Sequence, residues 1–352
     1  MNADRPVPGG ARPPTGVPRR RALPGLEAAV AERPALPGRT LPLLFTPADP
    51  AVDLVTWAAA RRDAIGARLH EHGALLFRGF GGMSQDVFEA FVRAVSGDPL
   101  EYTQRSSPRS AVGGNIYTST EQPADQTIFL HNEHSYTLNW PMRLFFYCAT
   151  EPGGGGATPL ADVRRVLGRI PAEVRDRFTE RDYAYVRHYR RGLGVEWTEA
   201  FQTTDPADVE RECAADDIGL RWLPDGGLTT TQVRPLVRTH PVTGEGVWFN
   251  HMAFFHDSTL RADIRASLLA GMDAAELPHN TYYGDGEPIE PEVVAAIRDA
   301  YEAESVAVPW RRGDILMIDN MLAAHGRETF TPPRRILLAI TEPYAGFAGA
   351  GR

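Results

Sequence analysis

Three side chains, two adjacent in the sequence and one far from them, have the types and spacing for one piece of chemistry. His131 and Glu133 stand two residues apart behind the apolar run Ile128-Phe129-Leu130. On an extended segment such a pair projects to one side, because strand side chains repeat with period 2. Both can therefore reach one ion. His325, beyond the apolar run Asp314-Ile315-Leu316-Met317-Ile318, supplies a third donor from the other end of the chain. Two imidazoles and a carboxylate form a facial set that suits non-haem Fe(II), since it leaves positions open for a co-substrate and O2. On the tripeptide alone, a histidine paired with a surface glutamate explains the motif as well. The distant residues tip the reading toward a metal.

Further residues fit around that centre. Arg335 opens the apolar run Ile336 to Ile340, and a guanidinium is a planar fork matched to a carboxylate, as anchoring the far end of a dicarboxylic co-substrate demands. Thr158 can add a hydroxyl to the same carboxylate. Ser119 and Glu121 are candidate substrate contacts, the glutamate toward an amine or guanidine, with a solvated loop charge as its plain alternative. Arg327, two residues past His325, can meet a substrate carboxylate. His251, His256 and Asp257 offer a rival metal set, but structural pairing of a strand-end histidine is commoner, and no glutamate stands as a zincin helix requires. His134 falls on the opposite side of a regular strand from Glu133 and stays outside the ligand set. There is no G-x-S-x-G elbow, and neither cysteine has a histidine partner by sequence.

The elements that must position these groups are mostly short strands. The pattern predicts a helix over 52–72 ended by Gly73, a strand over 74–80, and a helix from the N-cap Ser84 to Gly97. Polar, Ser/Thr-rich sequence over 101–127 reads as a binding loop. Strands are expected at 128–131, 144–148, 247–250, 314–318 and 335–340, with helices at 258–272 and 291–303. Asp162 is positioned to cap a helix, and Pro171 to open another. The four glycines Gly153 to Gly156 lack a following Lys-Ser or Lys-Thr, so they make a turn rather than a phosphate loop. The architecture expected is mainly β with helical insertions, a closed or double sheet such as a jelly roll. Residues 1–40, rich in proline, glycine and arginine, read as a disordered head, and 41–346 as one catalytic domain with an insertion near 163–235.

Composition narrows the function classes. With 352 residues and 43% hydrophobic content the chain can bury a large core. Its net charge is −8 and it has no basic stripe with interleaved aromatics, which argues against nucleic acid as a partner. Two cysteines exclude a disulfide framework and point to the reducing cytosol. No apolar stretch is long enough for a membrane helix, and the Arg19-Arg20-Arg21 cluster is not followed by a secretory apolar region. A soluble, cytoplasmic protein is expected.

Several runs, in order, carry a family resemblance: Tyr117-Thr118-Ser119-Thr120-Glu121, His131-Asn132-Glu133-His134-Ser135-Tyr136, Gly155 to Asp162, Trp248-Phe249-Asn250-His251, Tyr283-Gly284-Asp285-Gly286, and Gly313 to Asn320. The chain resembles the taurine dioxygenase (TauD/TfdA) superfamily of Fe(II)/2-oxoglutarate-dependent oxygenases over roughly 45–345, most of all the SyrP-like branch associated with amino-acid hydroxylation in natural-product pathways. The resemblance implies a double-stranded β-helix, iron held by His131, Glu133 and His325, and the distal carboxylate of 2-oxoglutarate held by Arg335 and Thr158. It implies that O2 is consumed while decarboxylation of the co-substrate drives attack on a C–H bond. Halogenases similar to the family replace the carboxylate ligand with a small residue; Glu133 keeps it, so the implied product is hydroxylated. In taurine-type members a second arginine, four residues past the co-substrate arginine, grips the sulfonate. Ala339 stands there, which speaks against a sulfonate; the branch it resembles implies an amino-acid-like substrate, free or tethered to a carrier protein. The same chemistry diverted to desaturation, cyclisation or epimerisation remains open to this sequence, as does a metal-free jelly-roll binding protein.

Overall fold

A computed structural model describes residues 28–101, 111–119 and 122–346. Glu121 and most of the expected head lie outside the described residues. The head is shorter than expected at its inner end, because β1 (Val30–Pro34) already pairs antiparallel with β2 (Leu43–Pro47). The helix expected over 52–72 is two: α1 (Leu54–Ala60), capped by Asp53, and α2 (Arg62–His72), with Arg61 at φ −116° between them. β3 (Ala74–Phe77) follows, then α3 (Gln85–Ser96), whose first turn is closed by Ser84 Oγ accepting from Val87 N at 3.2 Å.

The chain continues through β4 (Ala111–Gly113), β5 (Ile116–Thr118), β6 (Ile128–His131), β7 (Asn139–Thr150), β8 (Gly154–Gly155) and β9 (Leu160–Asp162). A long insertion holds α4 (Val163–Arg169), α5 (Ala172–Arg181), β10 (Tyr183–Tyr189), α6 (Trp197–Ala200), α7 (Pro206–Ala215), β11 (Gly219–Trp222) and β12 (Leu228–Arg234). It does not stop near 235. It runs on through β13 (Val237–Thr239), β14 (Gly246–Trp248), α8 (Met252–Phe255), α9 (Ala262–Leu269), β15 (His279–Tyr283) and α10 (Pro291–Glu304), because β15 pairs back onto β10. β16 (Ile315–Asp319), β17 (Ala323–Arg327), β18 (Phe330–Thr331) and β19 (Arg335–Ala345) close the chain.

The largest sheet has eight strands in the order β1-β2-β3-β16-β7-β19-β5-β4. Two smaller sheets are β6-β17-β9, which carries His131 and His325, and β18-β8. Period-2 alternation divides the central strands between two cores. Leu75, Phe77, Phe145, Tyr147, Ile315, Met317, Leu337 and Ala339 pack under α1, α2 and α3. Leu76, Leu144, Phe146, Leu316, Ile318, Ile336, Leu338 and Ile340 face the other way, onto Leu160 and Ala323 of β9 and β17. Both faces of these central strands are buried, so they are apolar at nearly every position. The insertion builds its own sheet, β11-β12-β10-β15.

Candidate metal centre

The triad is assembled mainly by backbone pairing. β6 and β17 run antiparallel with His131 directly opposite His325, and the two ring centroids are 4.5 Å apart. The ladder admits only glycine next to His325: a Cβ on Gly326 would lie 2.6 Å from the Ile128 carbonyl oxygen. Glu133 arrives differently from expectation. β6 ends at His131, so Glu133 sits in a turn rather than on the strand. Asn320, fully buried between β16 and β17, fixes that turn: its Oδ1 accepts from Glu133 N at 2.7 Å and its Nδ2 donates to Glu133 O at 2.8 Å and Pro141 O at 2.9 Å. Asn132 Nδ2 donates to Asn320 O at 2.6 Å. Because the strand has ended and His134 takes φ 55°, its Nε2 comes 3.7 Å from Glu133 Oε1 instead of pointing away.

One ligand atom from each of His131, Glu133 and His325 can be chosen so that all lie within 4.8 Å of one another, and among the described residues no other group of three does this. His131 Nδ1 donates to the Phe129 carbonyl at 2.9 Å, which selects the tautomer that presents Nε2 to a metal. Two imidazoles around a buried carboxylate fit Fe(II) by donor type and by span. The rival set is not assembled. His251 Nδ1 lies 2.6 Å from Ser135 Oγ beside the triad, while His256 pairs with Asp257, which Arg265 also holds.

Beside the triad opens a cleft of about 340 Å³, lined by His131, His325, Ser119, Phe146, Thr158, Arg327 and Arg334. Arg335 is not in it. Arg335, the first residue of β19, is exposed at an irregularity of the β19–β7 ladder, whereas Arg334, just before the strand, lines the cleft. Arg334 Nε donates to Gly156 O at 3.0 Å and Nη1 to Ser119 Oγ at 3.2 Å. Gly156 is required for this: it has φ 70°, and a Cβ there would lie 2.8 Å from Phe330 Cβ. Burial, with Arg327 adding, pushes the Arg334 guanidinium down to about 10. Arg327 is lowered by burial and spends Nη1 on Gln122 O and Nη2 on the Pro123 and Gln126 carbonyls. Thr158 Oγ1 accepts from Trp310 Nε1 at 3.2 Å. The cleft thus presents the Arg334 guanidinium, oriented by a carbonyl and a hydroxyl oxygen, to an incoming anion, with the charge of Arg327 beside it.

The family model for taurine catabolism dioxygenase TauD, TfdA family, matches residues 38–341. The chain belongs to that family. As a member it is a 2-oxoglutarate-dependent dioxygenase, with Fe(II) as its metal. It is 38% identical over 275 residues to the dapdiamide synthesis protein DdaC of Enterobacter agglomerans, covering 78% of this chain and 84% of DdaC. It is 35% identical over 284 residues to a clavaminate synthase-like protein of Arabidopsis thaliana, covering 77% and 82%. Among solved structures it is similar to PvcB of Pseudomonas aeruginosa, at TM-score 0.51 and 16% identity over 85% of this chain and 84% of that one, a likeness of fold. Among the described residues no helix is long and apolar enough to cross a membrane.

Sequence reasoning missed Arg334 and Asn320. Asn320 ends one of the runs that carry the family resemblance, and Arg334 is the neighbour of the residue chosen.

Proposed function

We propose that this protein binds Fe(II) through His131, Glu133 and His325, binds the distal carboxylate of 2-oxoglutarate through Arg334 and Thr158, and hydroxylates an unactivated carbon of an amino acid or amino-acid-derived intermediate in natural-product biosynthesis. The observation that carries the reading is the adjacency of the three-donor centre and a cleft whose guanidinium has, among the described residues, no carboxylate partner. A buried cation of this kind is completed by an anion brought in from solution. The eight-stranded sheet and the small sheets facing it form the two halves of a double-stranded β-helix, with the centre between them.

Fe(II) with 2-oxoglutarate and O2 supplies the oxidant that removes hydrogen from a C–H bond, leaving succinate and CO2. The chain's own residues do the rest. Ser119 and Gly156 aim the Arg334 fork, and Trp310 aims the Thr158 hydroxyl. Ile128 and Phe146 line the cleft with apolar surface, which limits water at the reacting centre. Arg327 ties the 122–126 loop beside the cleft, and by its place in the sequence Glu121 is proposed as a contact for an amine of the substrate. Counted from Arg334, the position four residues on is Leu338, buried and apolar, so a substrate sulfonate has no guanidinium there either. DdaC is by name a synthesis protein, in keeping with a biosynthetic substrate, free or carrier-tethered. Burial raises Cys148 to about 12 and Cys213 to about 11, which leaves both thiols inert, and two free cysteines are in keeping with the reducing cytosol.

The test is an anaerobic titration of metal-free protein with Fe(II) and 2-oxoglutarate, following the visible charge-transfer band of the chelated keto acid. The wild type shows the band and His131→Ala does not. A folded, metal-loaded wild type without the band overturns the assignment.

A further inference from the structure

A second cavity, of about 540 Å³ with its mouth, lies between the insertion sheet and the turn that follows Glu133. On β10, Tyr183, Tyr185, Arg187 and Tyr189 share one face by period 2. Tyr183 and Tyr185 are buried in the core, while Arg187 and Tyr189 line the cavity with Tyr136, Thr137, Thr230 and Gln232. Across the ladder Arg187 stands opposite Thr230 on one side and His279 on the other. The guanidinium carbon lies 4.6 Å from the Tyr189 ring centroid. Among the described residues no carboxylate pairs with this arginine. Nor does His279 compete as a cation: burial and the Arg187 charge hold its imidazole down to about 4. The other wall carries Glu212 and Asp216, so the cavity is positive at one end and acidic at the other.

We infer that this cavity receives the amino-acid end of the substrate, with the α-carboxylate in the Arg187 fork and the α-ammonium against the wall of Glu212 and Asp216. The inference rests on the proposed function for the substrate class and adds the residues that recognise it. The chemistry is that of a zwitterion. A desolvated guanidinium resting on a phenol ring keeps its donor edge for a bidentate carboxylate. The hydroxyls of Thr137 and Thr230 and the Gln232 amide complete the polar lining. Two buried rings, Tyr136 and His251, stand between the cavity and the metal centre. Tyr136 packs 4.8 Å from His251, and His251 lies 5.6 Å from His131. Two ring contacts therefore separate the anchor from the ligands, so the reacting carbon lies several bonds from the carboxylate. A long side chain is selected over alanine.

The experiment is calorimetry on the metal-free full chain with the L-amino acids added singly, each also as its methyl ester. The same series is then followed as a shift of the charge-transfer band after loading with Fe(II) and 2-oxoglutarate. A long-chain amino acid binds the wild type, and its ester and R187Q each weaken binding at least about tenfold, as loss of a buried carboxylate–arginine contact does. The band itself persists in R187Q. Q232E guards against misfolding of that variant, because it puts a carboxylate into the lining between Arg187 and Arg234, whose Nη2 already donates to Gln232 Oε1 at 3.3 Å: it keeps the wild-type Tm or exceeds it while weakening the ligand at least about tenfold. Equal binding by R187Q or by the ester, or no amino acid binding at all, overturns the inference. A missing band with amino-acid binding intact counts instead against the proposed function.

Discussion

Two half-buried arginines, one in the cleft beside the triad and one under the insertion sheet, are held in opposite ways. Arg334 is fixed by oxygen atoms, the Gly156 carbonyl and the Ser119 hydroxyl, and its backbone is set by the start of β19. Arg187 rests on the face of Tyr189, with Thr230 and His279 as ladder neighbours. A fork oriented by hydrogen bonds meets one ligand in one pose, whereas a fork on an aromatic face has room to turn. On the proposed function, the cleft arginine serves the co-substrate, which does not vary. The insertion arginine is built for the partner that distinguishes one oxygenase from another.

The sharpest way to break that contrast is to exchange neighbours in the barrel. Arg334→Ala raises the 2-oxoglutarate concentration needed for half-saturation by roughly 30-fold or more, from loss of about 2 kcal/mol or more at a buried charged contact. Arg335→Ala, on the exposed side, changes it by less than about threefold. Titration of the charge-transfer band in the two variants decides it. Equal effects, or the larger one at Arg335, would return the clamp to the outward residue.

A smaller effect is expected one step back from the ligands, where Asn320 ties the Glu133 turn to the β16–β17 connection. Asn320→Asp keeps the shape but replaces two donated hydrogen bonds by a repelled pair of oxygens. Partners behind metal ligands typically contribute about 10- to 100-fold in metal affinity, and Fe(II) competition with a chelator should show a loss in that range. The His325→Ala background separates positioning from general instability. If Asn320 acts through the Glu133 turn, the two losses combine to less than their product; independent losses would make Asn320 merely structural.

These two residues also mark what the chain discloses and what it withholds. His131, Glu133 and His325 could be picked out by type and spacing, and the helix caps at Ser84 and Asp162 could be read directly. Parity could not. Because β19 is buried on both faces, its run Ile336 to Ile340 shows no alternation, and nothing in it says whether Arg334 or Arg335 turns inward. Asn320 escaped for another reason: its role depends on a turn brought to it from 187 residues away, which local pattern does not encode. The extent of the insertion was lost likewise, since β15 joins β10 by long-range pairing. Strand expectations for 128–131 and 314–318 survived within a residue, being apolar and bounded by polar sequence.

The smallest effect belongs to the insertion sheet and depends on acid. His279 has an ordinary value of 6.5, held to about 4 in the fold, first by burial and then by Arg187. Between those values the unfolded chain takes up a proton that the folded imidazole refuses. Stability therefore falls as pH drops from 6.5 toward 4, by up to about 1.4 kcal/mol per pH unit for one such group, and levels off for this group below 4. His279→Gln removes that term and flattens the acid limb of Tm against pH, leaving the curve above pH 7 parallel to the wild type. R187Q flattens it less, because the charge is the lesser cause and burial remains. If R187Q flattened the limb as much as His279→Gln, the charge and not the burial would govern this imidazole. The insertion arginine would then be the tightly set member of the pair, and the contrast with Arg334 would reverse.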